Sequence, residues 1–166
     1  VSMLEQLSAD FELEAQKRQM FIEVAVTKRP IIMTADSSKL VRVFSNLITN
    51  AFKYGKNATR ITLDAHVEKS EVVVTVSNDG SPIPEEDLQN IFERFYRVEG
   101  SRSVTTGGSG LGLAMAQSIV KLHGGEIYAT STSEETTFTI ILPVDVTEKR
   151  PELKAIDQES INGGNK

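Results

Sequence analysis

Asp36-Ser37-Ser38-Lys39-Leu40-Val41-Arg42-Val43-Phe44-Ser45-Asn46-Leu47-Ile48-Thr49-Asn50-Ala51-Phe52-Lys53-Tyr54-Gly55 is the stretch on which the fold class turns. Asp36 can cap a helix running from Ser37 to Tyr54, and Gly55 stops it. At 3.6 residues per turn, Leu40, Phe44, Leu47 and Ala51 share an apolar arc that needs a sheet to cover it. Asn46, Asn50, Lys53 and Tyr54 fall within an adjoining arc of ~100°. Two amides, an ammonium and an aromatic ring on one face can hold a polar ligand with a flat part. The same residue types also occur on plain solvated helix faces.

Downstream, Arg60–Val67 and Glu71–Ser77 alternate like strands, with Ile61, Leu63 and Ala65 on one face. Glu68-Lys69-Ser70 joins them as a hairpin. A turn at Asn78–Pro84 leads into a short acidic-started helix, Glu85–Phe92. Tyr96–Ser109 has no convincing period and is read as a loop. A helix from Leu111 to Leu122 stops at His123-Gly124-Gly125, and strands at Glu126–Thr130 and Thr136–Leu142 follow. Upstream, Val1–Met20 is an amphipathic helix, Phe21–Val26 a strand, Lys28-Arg29-Pro30 a turn and Ile31–Thr34 a second short strand. Strands and helices without strict alternation predict an α+β two-layer sandwich: one mixed sheet with helices on one face. Residues 1–145 are expected to form the domain, and the polar segment 146–166 a disordered tail.

Composition narrows the chemistry. Among 166 residues there is no cysteine, which excludes disulfides, thiolate metal sites and cysteine nucleophiles. The two histidines, His66 and His123, resemble no metal-ligand pair. A net charge of −5 argues against a protein that neutralises many nucleic-acid phosphates. No apolar run approaches the ~20 residues of a membrane helix, and no charged-then-apolar leader opens the chain, so a soluble intracellular domain is expected.

Two further places carry candidate chemistry. Ser77-Asn78-Asp79-Gly80-Ser81-Pro82-Ile83-Pro84 ends a strand in a polar side chain followed by glycine, although Asn-Asp-Gly is equally a plain turn. Gly107-Gly108-Ser109-Gly110-Leu111-Gly112-Leu113 directly precedes a helix, where exposed N–H groups and the helix dipole favour an anion such as phosphate. No strand precedes these glycines and no lysine follows them, which argues against a Rossmann fingerprint and a P-loop.

Taken in order, these places resemble the motifs of the histidine-kinase branch of the GHKL ATPases. Asn46–Tyr54 is similar to the N box, Asn78–Pro84 to the first glycine box, Ile91–Arg97 to the F box and Gly108–Leu113 to the second glycine box. Thr136-Thr137-Phe138 and Leu142-Pro143 resemble the closing strands. Within the family the chain is similar to sensor kinases of the glycopeptide-resistance type. The resemblance implies the Bergerat ATP-binding fold with an ATP lid. It implies ATP and Mg²⁺ as cofactors and transfer of the γ-phosphoryl group to a histidine in two-component signalling.

The resemblance also implies roles. Asn50 ligates Mg²⁺, Lys53 reaches the phosphates and Tyr54 stacks on adenine. Arg97 and Arg102 approach the triphosphate from a lid, Tyr96–Gly107, whose closing gates the site. Phe92 and Phe95 pack the base of the lid. The backbone at Gly108, Gly110 and Gly112 cradles phosphates, and Gly80, Ile83, Tyr96, Leu111, Leu113 and Thr137 complete the nucleotide site. Asn46, Asn50, Lys53, Arg97 and Arg102 form the catalytic set.

Departures from the family pattern matter. Asn78 stands where most members carry the adenine-reading aspartate, with Asp79 the register alternative. Glu135 replaces a glycine of the third glycine box. Asn46 occupies the position of the glutamate base of ATP-hydrolysing relatives and cannot take a proton at neutral pH, which implies transfer to protein over hydrolysis. Neither histidine lies in a Thr-Pro phosphoacceptor context. The acceptor is therefore expected on a dimerising helix of a parent protein, with a response regulator beyond it. The piece in hand is expected to be a cytoplasmic monomer that binds ATP·Mg²⁺, touches neither nucleic acid nor membrane, and cannot phosphorylate itself. Two alternatives are an anti-sigma-factor-type serine kinase and a nucleotide-binding interaction module without transfer.

Overall fold

The computed structural model describes residues 1–25, 31–98 and 109–144. Its elements are α1 (Ser2–Lys17), β1 (Phe21–Ala25), α2 (Ser37–Tyr54), β2 (Arg60–Glu68), β3 (Glu71–Asn78), α3 (Glu85–Leu88), α4 (Gly112–Leu122), β4 (Glu126–Ser131) and β5 (Thr136–Pro143). The strands form one mixed sheet in the order β1-β2-β3-β5-β4. Only the β1–β2 pair is parallel, because the crossover through α2 returns the chain in the same direction. The expected α+β sandwich is the architecture observed.

Alternation along the strands puts Ile22, Ile61, Leu63, Ala65, Val72, Val74, Val76, Phe138, Ile140 and Leu142 on the buried face. Helix α2 lays Leu40, Val43, Phe44, Leu47, Ile48, Ala51 and Phe52 into the same core. Each of the larger side chains contributes ~1.5–3 kcal/mol on burial. Asp36 caps α2 as expected, its carboxylate accepting from the Lys39 N–H at 3.1 Å.

Three expectations need correction. Ile31–Thr34 is not a strand: Ile31 and Met33 pack on the core and Ile32 is exposed, so the alternation comes from an extended segment that pairs with no described strand. Helix α3 ends at Leu88 rather than Phe92 and gives way to turns such as Glu93 N–H to Asn90 C=O at 2.9 Å. The Asn90 side chain bonds back to the Glu86 carbonyl at 3.3 Å, competing with continued helix. The helix expected from Leu111 starts at Gly112. Val26, the Lys28–Pro30 turn and the tail 146–166 lie outside the described residues.

Candidate functional site

A cavity of about 300 Å³ opens where the C-terminal half of α2, the end of β3 and the beginnings of α4 and β5 converge. Asn46, Asn50, Lys53 and Tyr54 all line it, as their spacing on one helical face requires. Ala51, Ile83, Ile91, Leu113 and Phe138 supply apolar wall. Tyr96, Arg97, Val98, Ser109, Gly110 and Gly112 also line the cavity.

Asn78, the last residue of β3, is buried yet lines the cavity. Its register partner on β5 is Thr136, also buried and also in the lining. The Thr136 hydroxyl is held 2.6 Å from that of Ser131, which accepts the Ile83 N–H at 2.9 Å. Asp79 faces elsewhere. Its carboxylate accepts from the Thr59 N–H at 2.7 Å, the Thr59 hydroxyl and the Arg60 N–H at 2.8 Å. Partial burial pushes that carboxyl up, but the bonds from Thr59 and Arg60 outweigh it and hold the group below its ordinary value.

The glycines do different work. A Cβ on Gly80 would lie 2.7 Å from the Gly55 Cα, and one on Gly55 would meet the Asn78 amide nitrogen at 2.9 Å. Bare backbone at both positions therefore lets the end of α2 approach the end of β3. Gly110 has φ +70°, and its Cβ would sit 2.8 Å from the Phe95 Cα. The Phe95 N–H donates to the Gly110 carbonyl at 2.9 Å, closing the two ends of the intervening segment together.

Helix α4 begins at the cavity, and its N-cap residue, Leu111, gives its first N–H groups no side-chain cap. These donors and the helix dipole give the site an anion-binding end. Among the described residues no group of three or more acidic or histidine side chains could cage a metal. The Asn50 side-chain oxygen is a hard donor in the lining, which suits Mg²⁺ held largely by ligand oxygens and water.

Several expected contacts fall outside the lining. Thr137 points to the opposite face of β5, because side chains alternate and Thr136, Phe138 and Ile140 take the inner face. Phe92 stands one layer back, edge-on to Phe138 with centroids 6.3 Å apart. Phe95 does not pack against the domain: its φ of 65° turns the ring outward and leaves it 72% exposed. Gly80 shapes the wall without lining it, and Leu111 precedes α4 rather than facing the cavity. Arg102, Gly108 and most of the expected lid lie outside the described residues. Lining residues that sequence reasoning did not assign to the site include Thr49, Ser81, Pro82, Ile91 and Thr136. Strand parity from Phe138, Ile140 and Leu142 was the signal that could have selected Thr136. His66 sits on the outer sheet face beside Asp64, and His123 ends α4; neither lines the cavity.

Comparison with known proteins agrees with this architecture. Residues 35–146 match the family model described as histidine kinase-, DNA gyrase B- and HSP90-like ATPase. The sensor protein VanS of Enterococcus faecium is 40% identical over 152 residues, covering 89% of this chain and 38% of that protein. The sensor histidine kinase WalK of Bacillus subtilis is 36% identical over 136 residues, covering 80% of this chain and 22% of that protein. The chain thus spans well under two thirds of these relatives. The nucleotide-free catalytic domain of histidine kinase ThkA superposes with a TM-score of 0.75 at 26% identity, covering 86% of this chain and 91% of that one. Among the described residues no helix is long and apolar enough to cross a membrane. The matched stretch contains every residue that lines the cavity, and on that ground the chain belongs to the family of histidine kinase-, DNA gyrase B- and HSP90-like ATPases.

Proposed function

We propose that residues 1–145 are the ATP-binding catalytic domain of a sensor histidine kinase, which donates the γ-phosphoryl group of ATP to a histidine on a separate dimerising helix. The observation that carries this reading is the meeting of the uncapped start of α4 with Asn50 and Lys53 in one cavity. Such a combination offers backbone donors, an ammonium and a hard oxygen to a polyphosphate and its metal.

In this reading Tyr54 stacks on the base while Asn78 and Thr136 meet its polar edge. Lys53 and Arg97 bind phosphate oxygens, and the first N–H groups of α4 hold the phosphate chain in line. Mg²⁺ held by Asn50 would neutralise phosphate charge. Catalysis is then positioning and charge stabilisation, as in other phosphoryl transfers. Asn46 stands where a hydrolytic base would be needed, and its amide takes no proton at neutral pH. WalK is a sensor histidine kinase and VanS a sensor protein, which supports histidine over serine as acceptor. A cytoplasmic response regulator is the proposed partner downstream.

Calorimetric titration with a non-hydrolysable ATP analogue tests the site. Binding with Mg²⁺ that weakens in EDTA and in Asn50→Ala is expected. A folded chain that binds no nucleotide at millimolar concentration would refute the proposal. Phosphate transferred to an added histidine-bearing helical hairpin is expected to be acid-labile.

A further inference from the structure

Asp87 is a carboxylate that the proposed chemistry does not use. It is 8% exposed, in the four-residue helix α3. A buried carboxylate is costly unless it is hydrogen-bonded. Its side-chain oxygen accepts the hydroxyl of Tyr96. The hydrogen bond to Asp87, and burial after it, raise the Tyr96 phenol above its ordinary value, with Asn90 acting in the other direction.

Tyr96 lines the cavity together with Arg97 and Val98, and Asp87 does not. The helix that carries Asp87, α3, follows directly on Pro82, Ile83 and Pro84, which also line it. The chain just before Tyr96 is already fixed by the Phe95 N–H bond to Gly110. A second tie at the tyrosine hydroxyl leaves the backbone leading into Arg97 little freedom.

We propose that Asp87 is a positioning residue: through the Tyr96 hydroxyl it ties the Pro82–Pro84 wall to residues 96–98 and holds Arg97 where an anionic ligand is met. This rests on the nucleotide-binding reading for its ligand, but the tie exists in the ligand-free chain and is testable there. Asp87 touches no ligand; it acts through Tyr96.

The test uses the full chain with Tyr96→Phe, Asp87→Ala, Asp87→Asn and the double variant Asp87→Ala/Tyr96→Phe, each confirmed folded by thermal melting. Absorbance at the phenolate band during alkaline titration is expected to show one late-ionising tyrosine in the native chain. That tyrosine is missing in Tyr96→Phe and ionises earlier in Asp87→Ala. Affinity for Mg²⁺ with an ATP analogue is expected to fall about five- to tenfold in Tyr96→Phe and in Asp87→Ala. The double variant is no weaker than either, and Asp87→Asn, whose amide oxygen still accepts, recovers part of the loss. Undiminished affinity in Tyr96→Phe, or additive losses in the double variant, overturns the proposal. Should the native chain bind no nucleotide, the functional reading fails separately. The tie is then decided by the Arg97 and Val98 amide resonances, which shift alike in Tyr96→Phe and Asp87→Ala if it holds and stay put if it does not. Tyr96→Phe keeps the ring and removes one oxygen, so a misfolded Asp87→Ala does not block the outcome.

Discussion

The side-chain nitrogen of Asn46 donates to the main-chain carbonyl of Gly112 at 3.2 Å, tying the middle of α2 to the first residue of α4. Only the nitrogen of an amide can donate to a carbonyl, so the bond also orients the amide. Asn46→Asp removes that donor and sets a carboxylate against the Gly112 oxygen, whereas Asn46→Ala merely removes the tie. Affinity for Mg²⁺ with an ATP analogue is expected to fall about tenfold in Asn46→Ala and further in Asn46→Asp. Calorimetry that finds Asn46→Asp equal to the native chain would show that the side chain works through its oxygen instead.

Asp79 predicts a pH signature. Its folded-state pKa is depressed by the Thr59 and Arg60 bonds, once the opposing effect of burial is overcome. Its contribution to stability is therefore fully present above the unfolded-state value, ~3.9, and is lost as pH falls through the lower folded-state value. The group is largely exposed, so screening reduces the effect. Asp79→Asn is expected to cost roughly 1 kcal/mol at pH 7 and progressively less as pH falls below ~3.9, read by denaturant melts. Nucleotide affinity at pH 7 is expected to stay within about twofold, since the carboxylate faces the start of β2 and not the cavity. A large affinity loss would mean that Asp79 reads the base.

Asn78, buried beside Thr136, is the residue proposed to set the preference among purines. An amide can turn its donor or its acceptor toward a base edge, while a carboxylate only accepts. Asn78→Asp is expected to sharpen the preference for ATP over GTP by about tenfold, one hydrogen bond's worth. Competition titrations giving the same ATP-to-GTP ratio in both proteins would remove Asn78 from the base site.

Much of this site was legible because helices and glycine turns are local. The period of α2 alone brought Asn46, Asn50, Lys53 and Tyr54 to one face, and Asp36 and Gly55 fixed both ends of that helix. The motif points to Thr137, whereas strand parity brings Thr136 to the inner face. The family resemblance implies that Phe95 packs at the base of the lid; here its φ is 65°, its N–H donates to the Gly110 carbonyl and its ring is exposed. Ile31-Ile32-Met33-Thr34 reads as a short strand, yet pairing is a tertiary fact that no local pattern contains. The Asp87 to Tyr96 bond spans nine residues across a helix end, and nothing in the spacing announces it.

Two glycines of one motif are expected to behave in opposite ways. At Gly110 the backbone has φ +70° and an added Cβ would stand 2.8 Å from the Phe95 Cα and 2.9 Å from its carbonyl carbon, neither of which can move without breaking the turn. Gly110→Ala is therefore expected to cost about 1–3 kcal/mol from backbone strain and contact combined. At Gly112 the nearest atoms, those of the Asn46 side chain, lie at an ordinary 3.7 Å. Gly112→Ala there gains helix propensity, up to about 1 kcal/mol in a helix interior and less at this first position. Thermal melts are expected to order the proteins as Gly112→Ala at or above native and Gly110→Ala well below it. If phosphate rests against the start of α4, Gly112→Ala weakens nucleotide binding while the fold holds, because the new methyl group stands where the ligand must approach. A variant that keeps both full stability and full affinity would place the phosphates elsewhere along the cavity.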